Sequence, residues 1–173
     1  DYQYFTAELN KAVRMKIAMS SDLYKALDNQ EFHLVFQPQV DLVTGRIIGA
    51  ESLLRWHHQR FGEVSPVTFI PIIEESGLIN PVGSWVLRET CRQQRDWIET
   101  NPHMSLSSVS VNISARQFRR ADLVSMVKEA LTETGLKPEK LILEITESTL
   151  MKDLESTRKT LWSLKEIGVE IAL

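Results

Sequence analysis

The sequence has few of the features that would tie it to an oxidising compartment, a membrane or a nucleic acid polymer. Cys91 is the only cysteine in 173 residues, so no internal disulfide can form and a reducing compartment is compatible with the chain. No apolar run approaches the roughly 20 residues that cross a bilayer, and the first residues do not resemble a signal peptide. The net charge of −3 is unlike the broad basic surfaces that bind DNA or RNA.

We therefore predict a cytoplasmic location, no nucleic acid polymer as partner and no membrane contact by this segment. Membrane anchoring elsewhere in a longer parent protein is compatible with that prediction. The sequence also has no Gly-rich phosphate loop, no Cys-x-x-Cys pair and no nucleophile elbow. Its composition, 43% hydrophobic and 25% charged, is enough for one folded domain with a short appendage.

Residues 1–30 differ in character from the rest of the chain. Apolar residues recur every four positions over Phe5–Met19, which predicts a helix, and a serine precedes a second helical stretch over 21–27. We interpret 1–30 as a linker helix region and 31–173 as a separate domain. An ordinary first helix of that domain is the alternative interpretation.

Two strands, 32–36 and 46–54, flank a short segment that ends in Thr44-Gly45, a turn signal. So short a connection predicts antiparallel pairing. Helix and strand then alternate. Helices are predicted over 65–77, 80–98, 123–135 and 153–168, and strands over 109–113, 141–146 and 169–173.

This alternation predicts a parallel α/β sheet, either open or closed into a barrel. A complete eight-stranded barrel needs about 250 residues. About five strands are present, and the chain ends on an apolar strand. We therefore expect a TIM-type (β/α) barrel with an antiparallel first strand, truncated to roughly its first five strands.

Three of the predicted strands carry one oxygen-bearing side chain each near the carboxyl end: Glu51, Asn112 and Glu144. Barrel active sites are built at that end. Two carboxylates and an amide are hard ligands, suited to Mg²⁺ or Mn²⁺ rather than zinc. A core ion pair is the structural alternative, because a carboxylate after an apolar run needs a cation of some kind.

Strand alternation places Leu53 and Arg55 on the same face as Glu51. At about 3.3 Å per residue, Arg55 lies about 13 Å from Glu51 along the strand, too far for a direct ion pair. Glu147 follows the strand of Glu144; it either braces a loop or is simply exposed to solvent. His57 and His58 are adjacent and are expected on a loop rather than as metal ligands, and Cys91 is expected to be an inert packed thiol.

Several segments of the chain, in order from about residue 30 to the end, resemble one known family, the EAL domains. Residues 51–56 resemble its Glu-x-Leu-x-Arg-Trp signature, with Ser52 in place of the alanine of the name-giving Glu-Ala-Leu triplet. Phe36-Gln37-Pro38 resembles the family's Tyr-Gln-Pro. Further matches are found in residues 66–71, 75–79, 111–114 and 143–148.

The resemblance implies a cyclic di-GMP phosphodiesterase that forms linear pGpG on a modified TIM barrel, with two divalent cations, Mg²⁺ or Mn²⁺. It implies that Glu51, Asn112 and Glu144 are metal ligands, that Glu51 is catalytic, and that Glu147 stabilises an active-site loop. Five further residues are implied in binding the cyclic di-GMP: Gln37, Leu53, Leu54, Arg55 (to a phosphate) and Ser65. A homodimer is also compatible with the resemblance.

The departures from the family pattern are Phe36 for tyrosine, Ser52 for alanine and Gln59 for the usual proline. Ser52 faces away from the ligand face of the strand, so it should be tolerated. The family's Asp-Asp-Phe-Gly motif and its later lysine would follow Leu173. Residues 4–10 resemble the tail of a GGDEF, diguanylate-cyclase-like domain, which suggests a tandem signalling protein.

Two functions are therefore compatible with the sequence. The first is hydrolysis of cyclic di-GMP, for which this fragment alone would be inactive. The alternative is a degenerate EAL domain that binds cyclic di-GMP as a receptor without cleaving it. An intact Asp-Asp pair and lysine downstream would favour the enzyme.

Overall fold

The computed structural model describes residues 19–101, 107–150 and 154–173. Three predicted features lie outside the described residues: almost all of the helix over Phe5–Met19, the GGDEF-like stretch at 4–10, and Asp153, the first residue of the helix predicted over 153–168. The described chain forms two compact units. One contains the residues up to His33 together with Arg55–Ile79, and the other contains Leu34–Leu54 and Asn80–Leu173.

The element order is that of a strand hairpin followed by alternating helices and strands. The strands are β1 (Phe32–Val40), β2 (Ile47–His58), β3 (Gly62–Val64), β4 (Ser108–Ile113), β5 (Leu141–Ile145) and β6 (Glu170–Ala172). The helices are α1 (19–26 as described), α2 (Pro66–Ser76), α3 (Ile79–Thr100), α4 (Ala115–Phe118), α5 (Leu123–Thr134), α6 (Glu147–Leu150) and α7 (Leu154–Ile167). A 3₁₀ turn, Pro138–Lys140, leads into β5.

One sheet carries the strands in the order β1-β2-β4-β5-β6, with β3 paired to β2. The β2–β4, β4–β5 and β5–β6 pairs are all parallel. Each parallel connection contains a helix long enough to cross back over the sheet. Within the described residues the sheet is open, with β1 and β6 at its two ends, as predicted for a truncated barrel.

The hydrogen bonds of the first hairpin show that β1 and β2 are antiparallel. The amide of Asp41 donates to the carbonyl of Arg46, whereas the amide of His57 donates to the carbonyl of Glu31, both over 2.9 Å. Going back along the first strand from Asp41 to Glu31, the bonded residue on the second side advances from Arg46 to His57, which is the antiparallel direction. The predicted antiparallel first strand is confirmed.

The connection between β1 and β2 is held locally by Asp41. Its carboxylate accepts hydrogen bonds from the Thr44 amide (2.7 Å) and the Thr44 hydroxyl (2.6 Å). These bonds stabilise the ionised form and lower the pKa of Asp41 below its usual value. Gly45 follows with φ of +67°, a conformation that glycine adopts at little cost.

The two faces of the parallel strands differ in burial. The residues that face the helices are buried and mostly apolar: Ala50, Ser52, Val109, Val111, Ile113, Leu141, Leu143 and Ile145. The opposite face alternates with them and is largely half-buried or exposed at Glu51, Asn112, Glu144 and Glu170. One face therefore forms the core, and the other carries the polar side chains.

The unit that contains α1 and α2 has an aromatic core. Phe32, Trp56 and Phe69 contact one another with ring centroids 5.8–6.2 Å apart, and Trp56 and Phe69 are fully buried. Leu23 of α1 is also buried. These pairs bury apolar area, and the Trp56–Phe69 pair has the favourable edge-on geometry, with an interplanar angle of 72°.

The helix boundaries follow the sequence signals closely. Pro66 occupies the first turn of α2, where its missing N–H costs nothing, and Gly77 ends that helix with φ of +80°. Gly135 ends α5 in the same left-handed conformation, with φ of +67°. Strand β3 and the short helices α4 and α6 were not predicted, because three or four residues carry too little periodicity.

The loop predicted for His57 and His58 is wrong. Both residues lie in β2, which runs on to pair antiparallel with β3: His57 is the partner of Glu63 and His58 that of Gly62. A strand tolerates them because their polar atoms have partners. His57 Nδ1 lies 2.8 Å from Glu63 Oε1, and His58 Nε2 lies 3.1 Å from Asp22 Oδ2.

Candidate active site on one face of the parallel strands

Glu51, Asn112 and Glu144, which we call the carboxylate–amide cluster, lie on one face of three neighbouring strands. Glu51 is the register partner of Ser110 in β4, and Asn112 follows two residues later on the same face. Asn112 is in turn the register partner of Glu144 in β5. The parallel register thus places all three side chains on the same face of adjacent strands.

A direct hydrogen bond joins two members of this cluster. Asn112 Nδ2 donates to Glu51 Oε1 over 2.7 Å. Glu51 and Glu144 are half-buried and Asn112 is exposed, so this carboxylate is not enclosed as the apolar run before it suggested. The reason is that this face of the sheet is open in the described residues: even Ile47, which shares the face of Glu51, is 45% exposed.

Two serines, Ser52 on β2 and Ser110 on β4, lie next to the cluster on the strands that carry it. Ser52 lies on the helix-facing side, is 3% exposed, and donates to the carbonyl of Ser110 over 2.8 Å. The expectation that Ser52 faces away from the ligand face is therefore confirmed. The hydroxyl of Ser110, on the cluster's face, is buried and has no hydrogen-bond partner within the described part of the chain. Sequence reasoning missed Ser110, although its position two residues before Asn112 places it on that face.

Gln37 is exposed and lies on β1 beside the cluster. A Cβ on Gly49 would come within 2.7 Å of Gln39 Oε1, so Gln39 reaches across the β2 strand at Gly49. Gln37 precedes Gln39 by two residues and shares its face. In an antiparallel pair, this offset places Gln37 at the level of Glu51. Gly49 therefore leaves room for a glutamine side chain on the cluster's face.

The remaining predicted substrate residues are distributed less simply. Leu53 alternates onto the cluster's face, whereas Leu54 alternates onto the face of Ser52; both are half-buried. Arg55 is half-buried and Ser65 is exposed at the N-cap of α2, where its side chain makes no capping hydrogen bond. Arg55 and Ser65 belong to the unit of residues up to His33 and 55–79, so their meeting with the cluster stays a prediction.

Glu147 lies past the end of β5, as predicted, and is the first residue of the short helix α6. It is exposed. Thr146, between the strand and this helix, places its hydroxyl 2.9 Å from that of Thr149. Glu147 is therefore the first helical residue after the strand that carries Glu144. Its predicted contact with an active-site loop is not tested by the described residues.

The donor set of the cluster fits a hard divalent cation. It offers two carboxylates and one amide, all oxygen donors, on a face that is open enough for a ligand to enter. Among the described residues, no three His, Cys, Asp or Glu side chains converge as a metal site, and the cluster itself has only two such residues, Glu51 and Glu144. The cluster is thus a partial oxygen site that needs further ligands to hold a metal.

The fold and the cluster together define the class of protein: a mixed α/β sheet of TIM-barrel type with polar groups on one face of its parallel strands. Asn112 and Glu144 lie near the carboxyl ends of β4 and β5, whereas Glu51 lies within β2, which continues to His58. The family model for the EAL domain matches residues 20–173. The chain therefore belongs to the EAL domain family.

Curated relatives match almost the whole chain. The bifunctional diguanylate cyclase/cyclic di-GMP phosphodiesterase MucR of Pseudomonas aeruginosa is 40% identical over 172 residues, which are 99% of this chain and 25% of MucR. The oxygen sensor protein DosP of Escherichia coli is 36% identical over 172 residues, 99% of this chain and 21% of DosP. The chain thus spans about a quarter or less of the length of these relatives.

The fold also matches a solved structure. The c-di-GMP complex of the PaMucR phosphodiesterase superposes with a TM-score of 0.84 at 42% identity, covering 89% of this chain and 62% of that one. No helix among the described residues is both long and apolar enough to span a membrane.

Proposed function

We propose that the complete domain to which this chain belongs hydrolyses cyclic di-GMP to linear pGpG, as part of bacterial second-messenger signalling. The observation that carries the proposal is the carboxylate–amide cluster: three oxygen-bearing side chains on one face of adjacent parallel strands. Membership of the EAL family and the likeness to a phosphodiesterase in complex with c-di-GMP support it.

Glu51, Asn112 and Glu144 would hold a divalent cation, Mg²⁺ or Mn²⁺, and a second cation would complete the site. When bound, two cations supply water activation and offset the charge of the phosphate. Asn112 donates from Nδ2 to the Glu51 carboxylate over 2.7 Å, which favours one orientation of that carboxylate. The oxygen atoms of the cluster are thus presented from adjacent strands of one sheet.

The substrate would lie across the same face. Gln37, at the level of Glu51, offers an amide to the dinucleotide, and Leu53 contributes apolar surface. Leu54 alternates onto the other face of β2 and stays a proposed substrate residue. Arg55 carries a permanent charge with a planar fork of donors, a geometry that suits a phosphodiester. Ser65 would line the site from the start of α2, and Glu147 would brace a loop that follows the strands described here.

The proposal extends to the longer protein. Residues 1–30 would form a linker region after a GGDEF-like domain, and the names of the relatives are compatible with such a tandem arrangement. Cyclic di-GMP is the proposed ligand, and a homodimer is a proposed assembly. The protein is proposed to act in the cytoplasm.

The test uses the complete domain with cyclic di-GMP, Mg²⁺ or Mn²⁺, and chromatographic detection of pGpG. Glu51→Gln should lower turnover at least about 100-fold, since changes to outer-shell groups alone cost about 10–100-fold. Some binding of cyclic di-GMP should remain. Glu89→Gln, on the exposed surface of α3, is the matched control and should leave turnover unchanged.

Unchanged turnover in Glu51→Gln would overturn the assignment of Glu51. A wild-type domain that binds cyclic di-GMP but forms no pGpG with either metal would instead support the receptor function. Addition of a chelator further distinguishes the enzyme from the receptor, because hydrolysis should stop on removal of the divalent cation.

A further inference from the structure

Gly83 in helix α3 allows an unusually close approach by the side chain of Gln117. A Cβ built on Gly83 would lie 1.9 Å from Gln117 Nε2 and 3.0 Å from its Cδ. Gln117 is 3% exposed, so its carboxamide is buried against the backbone of α3 at this point. No residue other than glycine fits at position 83 unless Gln117 moves.

The same glutamine caps the helix that follows β4. Ser114 Oγ accepts a hydrogen bond from the backbone N–H of Gln117 over 3.2 Å. In return, the side-chain oxygen Oε1 of Gln117 accepts one from the backbone N–H of Ser114 over 3.1 Å. This reciprocal pair is a capping box, which satisfies two backbone donors at the start of a helix. Gln117 therefore packs against α3 at Gly83 and is hydrogen-bonded to the residue that follows β4.

The carboxyl end of β4 carries a member of the carboxylate–amide cluster. Asn112 precedes Ser114 by two residues, and its amide contacts Glu51. Helix α4, which contains Gln117, also contacts α6, the helix that begins with Glu147. Movement of Gln117 would therefore affect the segments that follow both β4 and β5.

We propose that Gln117, seated on Gly83, is a positioning residue of the candidate site that holds Asn112 against Glu51. This inference rests on the proposed function, because it concerns how the metal ligands are kept in place. Gln117 is buried against Gly83 and bonded to Ser114, so it is proposed to act through Asn112 rather than by touching substrate or metal.

The sign of one substitution is diagnostic. Alanine in a helix interior is normally more stable than glycine by roughly 1 kcal/mol. Gly83→Ala should therefore raise the melting temperature if Gln117 can move aside freely. If Gln117 is held by the capping box, the added methyl displaces it and the melting temperature should fall.

The experiment measures Mn²⁺ binding to the complete domain by calorimetry, together with thermal unfolding and pGpG formation. Gly83→Ala is expected to weaken Mn²⁺ binding by about tenfold, the lower end of the range for outer-shell changes. Gln117→Ala should weaken it similarly. Ser84→Ala, the half-buried neighbour on α3, is the control and should leave Mn²⁺ binding unchanged.

The double variant Gly83→Ala/Gln117→Ala tests the contact itself. With Gln117 truncated, the methyl at 83 has space, so the second substitution should cost nothing further and should raise the melting temperature. The proposal would be overturned if Gly83→Ala changed the melting temperature equally in the wild type and in Gln117→Ala. It would also be overturned if Gln117→Ala left Mn²⁺ binding unaffected. If Gly83→Ala does not fold, Gln117→Ala and the double variant still decide.

The outcomes also separate this inference from the proposed function. Wild-type hydrolysis with unaltered Mn²⁺ binding in Gln117→Ala contradicts the positioning role alone. A wild-type domain without Mn²⁺ binding contradicts the metal site on which the positioning role depends.

Discussion

Asn112 is the residue whose side chain links the candidate ligands. It stands in an otherwise apolar strand, and only the register with β2 and β5 reveals why: it lies beside Glu144 and donates to Glu51. An amide can serve both purposes, because its nitrogen donates to a carboxylate while its oxygen remains an acceptor. A second carboxylate at this position would repel Glu51 instead.

Arg55 allows a phosphate contact to be distinguished from a structural one. In the complete domain, Arg55→Ala should weaken cyclic di-GMP binding by about 1.5–3 kcal/mol, the usual worth of a hydrogen bond to a charged group. Its free energy of unfolding should barely change. If Arg55 neutralises a buried carboxylate, the same change should destabilise the fold by about 3–5 kcal/mol.

Ligand titration and thermal unfolding of that one variant separate the two roles of Arg55. Arg55→Lys is a useful companion, because lysine keeps the charge but lacks the planar fork of donors. A large fall in melting temperature with ligand affinity intact would contradict the phosphate role.

Cys91 should be unreactive in the native protein. It is fully buried on α3, and burial raises the pKa of its thiol to about 12. Because the thiolate is the nucleophile, alkylation by iodoacetamide at pH 8 should be negligible until the chain unfolds. Mass spectrometry before and after addition of guanidinium measures this. Rapid labelling of the native protein would contradict the buried position.

At the scale of the elements, His58 joins α1 to the hairpin of β2 and β3. Its Nδ1 accepts the backbone N–H groups of Arg60 (3.0 Å) and Phe61 (3.3 Å). The proton therefore resides on Nε2, which donates to Asp22 of α1. The buried His58 ring thus accepts two backbone N–H groups of a tight turn and also bonds to the first described helix.

His58→Ala should destabilise the protein by about 3 kcal/mol, because it leaves two amide N–H groups in the turn without their acceptor. Asp22→Ala removes only the partner of Nε2. Its side chain is about half-exposed, so the expected loss is below about 1 kcal/mol. Chemical denaturation of both variants measures the difference. Equal losses would show that the Asp22 contact, rather than the turn, is what His58 stabilises.

At the scale of the whole molecule, the described sheet is open, and its polar face is accessible. Under the proposed function, the 173-residue chain expressed by itself should form no pGpG, because Glu51, Asn112 and Glu144 alone do not complete the ligand set of two cations. The complete domain should be active under the same conditions. Chromatography of parallel reactions with Mn²⁺ compares them, with wild-type activity in the longer protein as the control. Turnover by the 173-residue chain would contradict this expectation.

Most of the strand–helix order could be predicted, because long elements carry many apolar positions and clear end signals. The helix ends at Gly77 and Gly135 are examples, since each glycine adopts the left-handed conformation that stops a helix. The extension of β2 through His57 and His58 could not be predicted. It depends on pairing with β3 and on Asp22, which is 36 residues away in the chain.

The sequence by itself determined the alternation of elements, the family to which the chain belongs, and the polar residues that interrupt apolar strands. The alternation and the interrupting polar residues are local, and a periodicity of two or 3.6 residues shows them directly, whereas the family follows from the resemblance of short motifs. Only the tertiary structure decided which of those residues meet. Glu51 and Asn112 are 61 residues apart in the sequence, and the register of their strands brings their side chains into contact. Gln117 reaches Gly83 because α3 and α4 pack against each other at this point. Such contacts depend on the packing of whole elements, which no short pattern encodes.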